Sequence, residues 1–152
     1  MKIKYKGLWF VGLAGVGKTY ASNYFIKKIK NSIKVDGDEV RKYISFDLGY
    51  GIEDRKKQIQ RVLGIGIICI KSKKIPILST VFMNNETIFK AKKNKIKIIK
   101  IERDMNYLKK IRKIYKSGKN VVSKDIYYPN MKVDKVLNEG NSKFILDLKK
   151  IL

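Results

Sequence analysis

The segment "GLAGVGKT", residues 12 to 19, stands directly behind the apolar run "GLWFV" and ahead of the amphipathic stretch "TYASNYFIKKI". Gly12, Gly15, Gly17, Lys18 and Thr19 satisfy the pattern G-x-x-x-x-G-K-[ST], and Ala14 and Val16 complete the loop. Glycines let the backbone turn tightly enough for successive N–H groups to point inward around a phosphate. In such a loop the lysine reaches the β- and γ-phosphates and the threonine hydroxyl coordinates Mg²⁺. The helix that follows adds the positive end of its dipole. With an apolar strand before it and a helix after it, the loop is expected to hold ATP and Mg²⁺.

The rest of the chain supplies the frame such a loop needs. Runs rich in branched residues at 7–11, 33–36, 75–79, 96–101 and 132–137 read as strands. Helices are expected to begin near Gly17, Glu39, Glu53, Asn84, Asn106 and Ser142. Strands alternating with helices in this way predict an α/β fold of three layers, a five-stranded parallel sheet flanked by helices, in one domain over 1–152. In the third helix Ile59, Leu63, Gly66 and Ile70 recur at helical spacing and give one buried face. Gly64 and Gly66 each weaken that helix by about 1 kcal/mol relative to alanine, so close packing against a neighbour is expected at both. Pro76 and Pro129 are the only prolines.

Composition excludes several chemistries. There is no histidine, so His-based triads and His-bound zinc are out, and the single Cys69 allows neither an internal disulfide nor a cysteine metal cluster. Cys69 reads as a small buried hydrophobe. The net charge of +23 invites a nucleic-acid reading, but only five of the 36 cationic residues are arginine (41, 55, 61, 103 and 112). Base-edge readers lean on the arginine fork. Lysine spread along the whole chain reads instead as a solvated surface whose field attracts polyanionic small substrates. The start "MKIKYKGLWFVGLAG" imitates a secretory signal, yet its cleavage region would be the glycine loop itself. No apolar run approaches the ~20 residues of a membrane helix. The expectation is a cytoplasmic protein without nucleic-acid or membrane partners.

Downstream of the loop come "VDGDEVR" at 35–41, "LGYGIEDR" at 48–55 and "NVVSKDIYYPNMKVDKV" at 120–136. With "KGLWFVGLAGVGKT" this series resembles the adenylylsulfate kinase family, which reads roughly G-L-W-F-T-G-L-S-G-[AS]-G-K-[ST], L-D-G-D-x-x-R and L-G-[FY]-S-x-E-D-R. The resemblance is dense over residues 6–62 and thinner to about 137. It implies a P-loop kinase fold, a homodimer, and transfer of the ATP γ-phosphate to the ribose 3′-hydroxyl of adenosine 5′-phosphosulfate. Other small P-loop kinases lack the D-G-D-x-x-R and E-D-R pair, and a regulator without turnover would not need Lys18, Thr19, Asp36, Asp38 and Arg41 together.

On this resemblance Asp38 is the base at the acceptor hydroxyl and Asp36 organises Mg²⁺ through water; the alternative is that both cap the following helix. Arg41 and Arg55 match arginines that hold the acceptor's 5′-phosphate side. Tyr50 stands where an aromatic stacks on the acceptor base, and Gln58, Thr80, Val121 and Lys124 complete the acceptor set. Arg112 and Lys113 match lid cations over ATP, with Tyr115 as the family's tyrosine. The "RD" of "IERDMN" at 101–106 lies too early for that lid.

The departures gather on the acceptor side. "STVFMNNET" replaces I-S-P-[FY]-R, "QIQR" replaces N-I-R-R, and "VVSKD" replaces F-T-G-I-D, so Val121 stands where a second stacking ring would be. Relatives in surface-polysaccharide pathways carry N-V-V-G-x-D there, and one activity in that branch is 3′-phosphorylation of cytidine diphosphoramidate. The missing ring leans the acceptor towards this cytidine conjugate, with adenosine 5′-phosphosulfate as the alternative.

Overall fold

The computed structural model describes residues 1–128 and 130–152; Pro129 lies outside the described residues. Strand β1 (Gly7–Val11) runs through the middle of a five-stranded sheet and is buried along its whole length. Around it the chain runs α1 (Lys18–Lys28), β2 (Ser32–Asp36), α2 (Gly37–Tyr43), α3 (Ile52–Lys71), β3 (Ile75–Thr80), α4 (Asn85–Lys93), β4 (Ile96–Glu102), α5 (Met105–Ile111), α6 (Ile114–Ser117), β5 (Asp134–Leu137) and α7 (Lys143–Ile151). The strands pair in parallel in the order β2-β3-β1-β4-β5.

A strand covered on both faces must be apolar at every position, and β1 is. Its side chains alternate between two cores. Trp9 and Val11 join Ile59 and Leu63 of α3 and Ile88 and Ala91 of α4. Leu8 and Phe10 join Ala21 and Phe25 of α1, Leu108 of α5, and Phe144 and Leu148 of α7. This is the three-layer α/β fold expected from the sequence.

The expected buried face of α3 is present in Ile59, Leu63 and Gly66, while Ile70 is only partly buried; Cys69 is buried, as expected of a small hydrophobe. Gly66 packs as expected: a β-carbon there would lie 3.0 Å from Leu78 Cδ1. Gly64 does not, since nothing lies within 4 Å of its β-carbon position. Helix α2 begins at Gly37, two residues before Glu39, because Asp36 caps it. Strand β5 begins at Asp134, two residues after Lys132. The four-residue α6 was not anticipated.

Candidate active site

The carboxyl ends of parallel strands are where open α/β sheets bind ligands, and the glycine loop leaves β1 at that end. Gly15 (φ 90°) and Gly17 (φ 107°) occupy the left-handed region that favours glycine. A β-carbon on Gly17 would also lie 2.5 Å from Asn138 Nδ2. That amide is part of the loop's support: Asn138 Nδ2 donates to Val16 O at 2.8 Å, while its Oδ1 accepts from the Gly140 N–H. The Gly12 N–H donates to Thr80 O at 3.2 Å and ties the loop to the end of β3. Val16 itself turns inward and is core.

Lys18 opens α1, and its ammonium donates to Leu13 O at 2.9 Å. Burial lowers its pKa to about 8; the charges of Asp38 and Asp36 oppose that shift and Arg112 adds to it. A desolvated lysine beside two carboxylates is a charge held ready for a polyanion.

Asp36 ends β2 and is tied on both oxygens. Oδ1 accepts from the Asp38 N–H at 2.9 Å, capping α2, and Oδ2 accepts from the Ser79 hydroxyl at 3.1 Å. Asp36 and Ser79 are register partners across β2 and β3, which brings them together. The capping role weighed for Asp36 is therefore real. Asp38 lies in the first turn of α2, and its carboxylate lines the cleft with no ion pair or side-chain hydrogen bond among the described residues.

One cleft of about 480 Å³ takes in Ala14, Gly15, Lys18, Thr19, Asp36, Asp38, Arg41, Tyr50, Arg55, Gln58, Thr80, Arg112 and Val121. Arg41 Nη1 donates to Gly49 O (2.6 Å) and Leu48 O (3.3 Å). Arg55 donates from Nε to Tyr50 O (3.0 Å) and from Nη2 to Asn120 O (2.8 Å). Both guanidiniums approach the Tyr50 ring, at 4.6 Å and 5.8 Å from its centroid. Burial, then the charge of Arg41, lowers the pKa of Arg55. Among the described residues neither arginine pairs with a carboxylate. Two mutually repelling guanidiniums in one cleft form a ready site for an anion.

Three expected residues sit differently from the sequence reading. Thr80 lines the cleft, but its hydroxyl accepts from Trp9 Nε1 at 2.9 Å and donates to Phe82 O at 3.0 Å, so it is already engaged. Lys124 lies outside the cleft lining because its ammonium turns to Gly118 O at 2.6 Å. Lys113 is exposed and also outside it. Tyr115, by contrast, is buried and touches the loop, donating to Ala14 O. The "RD" at 103–104 does local work: Asp104 caps α5 by accepting from the Tyr107 N–H, and Arg103 lies 3.8 Å from the Tyr107 ring centroid.

Ser79, Phe82, Lys119, Asn120 and Asn138 were not singled out in the sequence. Polar residues at the carboxyl ends of β3 and β5 were the available signal for Ser79 and Asn138. Lys119 and Asn120 directly precede Val121 and line the cleft beside it.

The loop and the parallel sheet define a P-loop nucleotide-binding fold. The family model described as adenylylsulphate kinase matches residues 5–121. The chain belongs to the adenylylsulphate kinase family, P-loop kinases that transfer phosphate to a hydroxyl. It is similar to the adenylyl-sulfate kinase of Staphylococcus haemolyticus, 41% identical over 59 residues, 36% of this chain and 30% of that protein. It is also similar to the bifunctional enzyme CysN/CysC of Xylella fastidiosa, 32% identical over 78 residues, 49% of this chain and 12% of that protein. The similarity thus spans less than a third of either relative's length. Among solved structures, the Mycobacterium tuberculosis APS kinase in complex with AMPPNP and APS superposes with a TM-score of 0.78 at 16% identity, covering 99% of this chain and 98% of that one. A sugar kinase from Janibacter superposes with a TM-score of 0.65 at 9% identity, covering 95% and 92%. At those identities the likeness shows the fold.

Proposed function

We propose that this protein transfers the γ-phosphate of ATP to the ribose 3′-hydroxyl of a nucleotide 5′-conjugate. The observation behind this reading is the set of groups gathered in one cleft. Lys18 and the glycine loop line it together with Arg41 and Arg55. Asp38 links the two, as the leading carboxylate influence on Lys18 and one helical turn ahead of Arg41.

In the transfer, the acceptor's 3′-oxygen bonds to the γ-phosphorus as the bond to the β,γ-bridging oxygen breaks and ADP leaves. Asp38 takes the hydroxyl proton. Lys18 offsets charge on the β- and γ-oxygens, and Arg112 adds charge from the lid side. Mg²⁺ supplies charge neutralisation on the phosphates when bound. The donor set fits it, since the Thr19 hydroxyl is a hard oxygen ligand and the Asp36 carboxylate would hold one of the ion's waters. The described residues contain no cluster of three acidic, Cys or His side chains, so phosphates and water would complete its shell.

The names of the relatives support adenosine 5′-phosphosulfate as acceptor. One observation favours the cytidine diphosphoramidate reading: Val121, which lines the same cleft as Tyr50, is aliphatic where the family pattern carries a second stacking ring, although Phe82 and Tyr115 also line that cleft. Base–aromatic stacking is worth about 1–3 kcal/mol per base, so the loss of one ring weighs more against a purine. The family resemblance also supports a homodimer acting in the cytoplasm on a small nucleotide. No described helix is long and apolar enough to cross a membrane.

The test is an acceptor panel with ATP and Mg²⁺, read by phosphorus NMR for a new 3′-phosphate. Turnover of a nucleotide conjugate, with none on DNA or RNA, supports the reading. ATP binding without turnover of any acceptor would favour a nucleotide-binding regulator.

A further inference from the structure

A second cavity, of about 690 Å³, opens at the end of the sheet opposite the glycine loop. It lies where β1 and β4 begin, whereas the loop leaves the carboxyl end of β1. At strand rise the five residues of β1 span about 17 Å between the two. The register of the strands makes the cavity. β4 pairs with β1 from Ile96 onward, but β5 joins β4 only at Ile99, opposite Asp134. Residues 96–98 therefore have no strand partner on their outer side, and residues 132 and 133 run past without pairing. Ile96, Ile98 and Val133 give the cavity apolar lining, and Tyr5 gives it an aromatic ring.

Half of the residues that line this cavity are lysine, well above their share of the chain. The fold gathers them from separate stretches: Lys4 ahead of β1, Lys92 and Lys95 at the end of α4, Lys97 on β4, and Lys132 ahead of β5. One carboxylate stands among them, Asp134, and it is paired with Lys97. Lys92 donates to Lys132 O at 3.2 Å. Lys4, Lys95 and Lys132 are exposed and pair with no carboxylate among the described residues. The Tyr5 ring draws two ammoniums together, with Lys4 at 5.3 Å and Lys97 at 5.2 Å from its centroid. Lysines scattered over a surface are solvated one by one, but like charges around one concavity add their fields.

We propose that this cavity is a second anion site, separate from the phosphoryl-transfer cleft, and that it takes an oligophosphate chain. The two sites share no lining residue, so this inference stands apart from the function proposed above. With Asp134 neutralised, the charge of Lys4, Lys92, Lys95 and Lys132 is left over. A single carboxylate or sulfate would leave most of it uncompensated, whereas linked phosphates place several negative charges side by side. The lysine ammonium binds phosphate as a compact point charge, without the fixed geometry of an arginine fork. Two sources carry this chemistry: the phosphate tail of a nucleotide, whose nucleoside would pack on the apolar lining, and inorganic polyphosphate.

Amide-resolved NMR of the whole chain, titrated with tripolyphosphate or with ATP at about 0.15 M salt to screen long-range attraction, locates the binding. Amides at 95–98 and 132–134 are expected to shift and saturate with a Kd of their own, apart from any shifts at 12–19. Tripolyphosphate binding there at least as tightly as ATP assigns the inorganic chain; tighter ATP binding assigns the nucleotide. The double variant Lys4→Gln/Lys132→Gln removes two unpaired ammoniums and should weaken this binding by at least about tenfold, the scale of two lost charged hydrogen bonds. Lys73→Gln/Lys74→Gln removes the same charge from the turn before β3, two strands from β4 at the same end of the sheet. It should change the affinity by less than about twofold, as distant independent sites do. The absence of saturable shifts at 95–98 and 132–134 with both probes overturns the proposal. So does unchanged affinity in Lys4→Gln/Lys132→Gln, or equal weakening by the two double variants, which would mean that the anions respond to overall charge alone.

Discussion

The phenolic hydroxyl of Tyr115 donates to the carbonyl oxygen of Ala14 at 2.8 Å, tying α6 to the glycine loop 101 residues earlier in the chain. The Tyr115 ring packs in the same apolar cluster as Val121, and both residues line the cleft beside the glycine loop. Tyr115→Phe keeps the ring and removes the tether. It should lower stability by about 1 kcal/mol, the usual net value of such a bond, and raise the KM for ATP several-fold. Denaturant titration and steady-state kinetics check the two effects. An unchanged KM would show that Asn138 and Thr80 hold the loop without it.

Lys18 should make nucleotide binding depend on pH. With its pKa lowered to about 8 by burial, its ammonium is charged in the free protein below that pH and increasingly neutral above it. Bound triphosphate favours the charged form and raises the pKa, so binding takes up a proton. Affinity for ATP should therefore be nearly flat below about pH 8 and fall above it, approaching tenfold per pH unit. Calorimetry in buffers of different ionisation heat reads both the affinity and the proton. Constant affinity to pH 9.5 would mean that Lys18 stays charged throughout.

The two carboxylates should separate cleanly. Asp38→Asn should fold and bind ATP, yet lose about two orders of magnitude in kcat, the scale of a lost general base. Asp36→Ala should in addition cost about 1 kcal/mol of stability, because it leaves the Asp38 N–H and the Ser79 hydroxyl without their acceptor. If Asp38→Asn retains its rate, the carboxylate facing the cleft is not the base.

The sequence carried the features that follow from local chemistry. β1 was legible because burial on both faces demands an unbroken apolar run, and the glycine loop because its pattern is tied to its geometry. The start of α2 was displaced because Asp36 and Asp38 are equally good caps by residue type; the Ser79 contact across β2 and β3 accompanies the choice of Asp36. Long-range pairings were the part that could not be read. Nothing in the chain announces that Trp9 engages the Thr80 hydroxyl, or that Lys124 turns to Gly118 rather than to the cleft. Gly64 shows the same limit from the other side: its cost to the helix suggested a close neighbour, and none is there.

Val121 offers the sharpest test of which base the acceptor carries. Its backbone is pinned: its N–H donates to Asp125 Oδ2, and its carbonyl accepts from the N–H groups of Lys124, Asp125 and Ile126. A larger side chain therefore cannot escape by moving the main chain. It is 8% exposed and shares a cluster with Tyr115, so Val121→Phe must add its ring to the cleft or force it against Tyr115 and Gly118. If the ring enters the cleft, it adds a stacking surface to the cleft that Tyr50 also lines. The ratio of kcat/KM for adenosine 5′-phosphosulfate over the cytidine conjugate should then rise by about tenfold, or about 1.4 kcal/mol, within the stacking range. Overpacking should cost about 1–3 kcal/mol of stability in either case, which thermal unfolding measures. An equal fall for both acceptors would mean that the ring has gone into the core. An unchanged ratio with normal stability would remove Val121 from the acceptor wall and, with it, the argument for a pyrimidine.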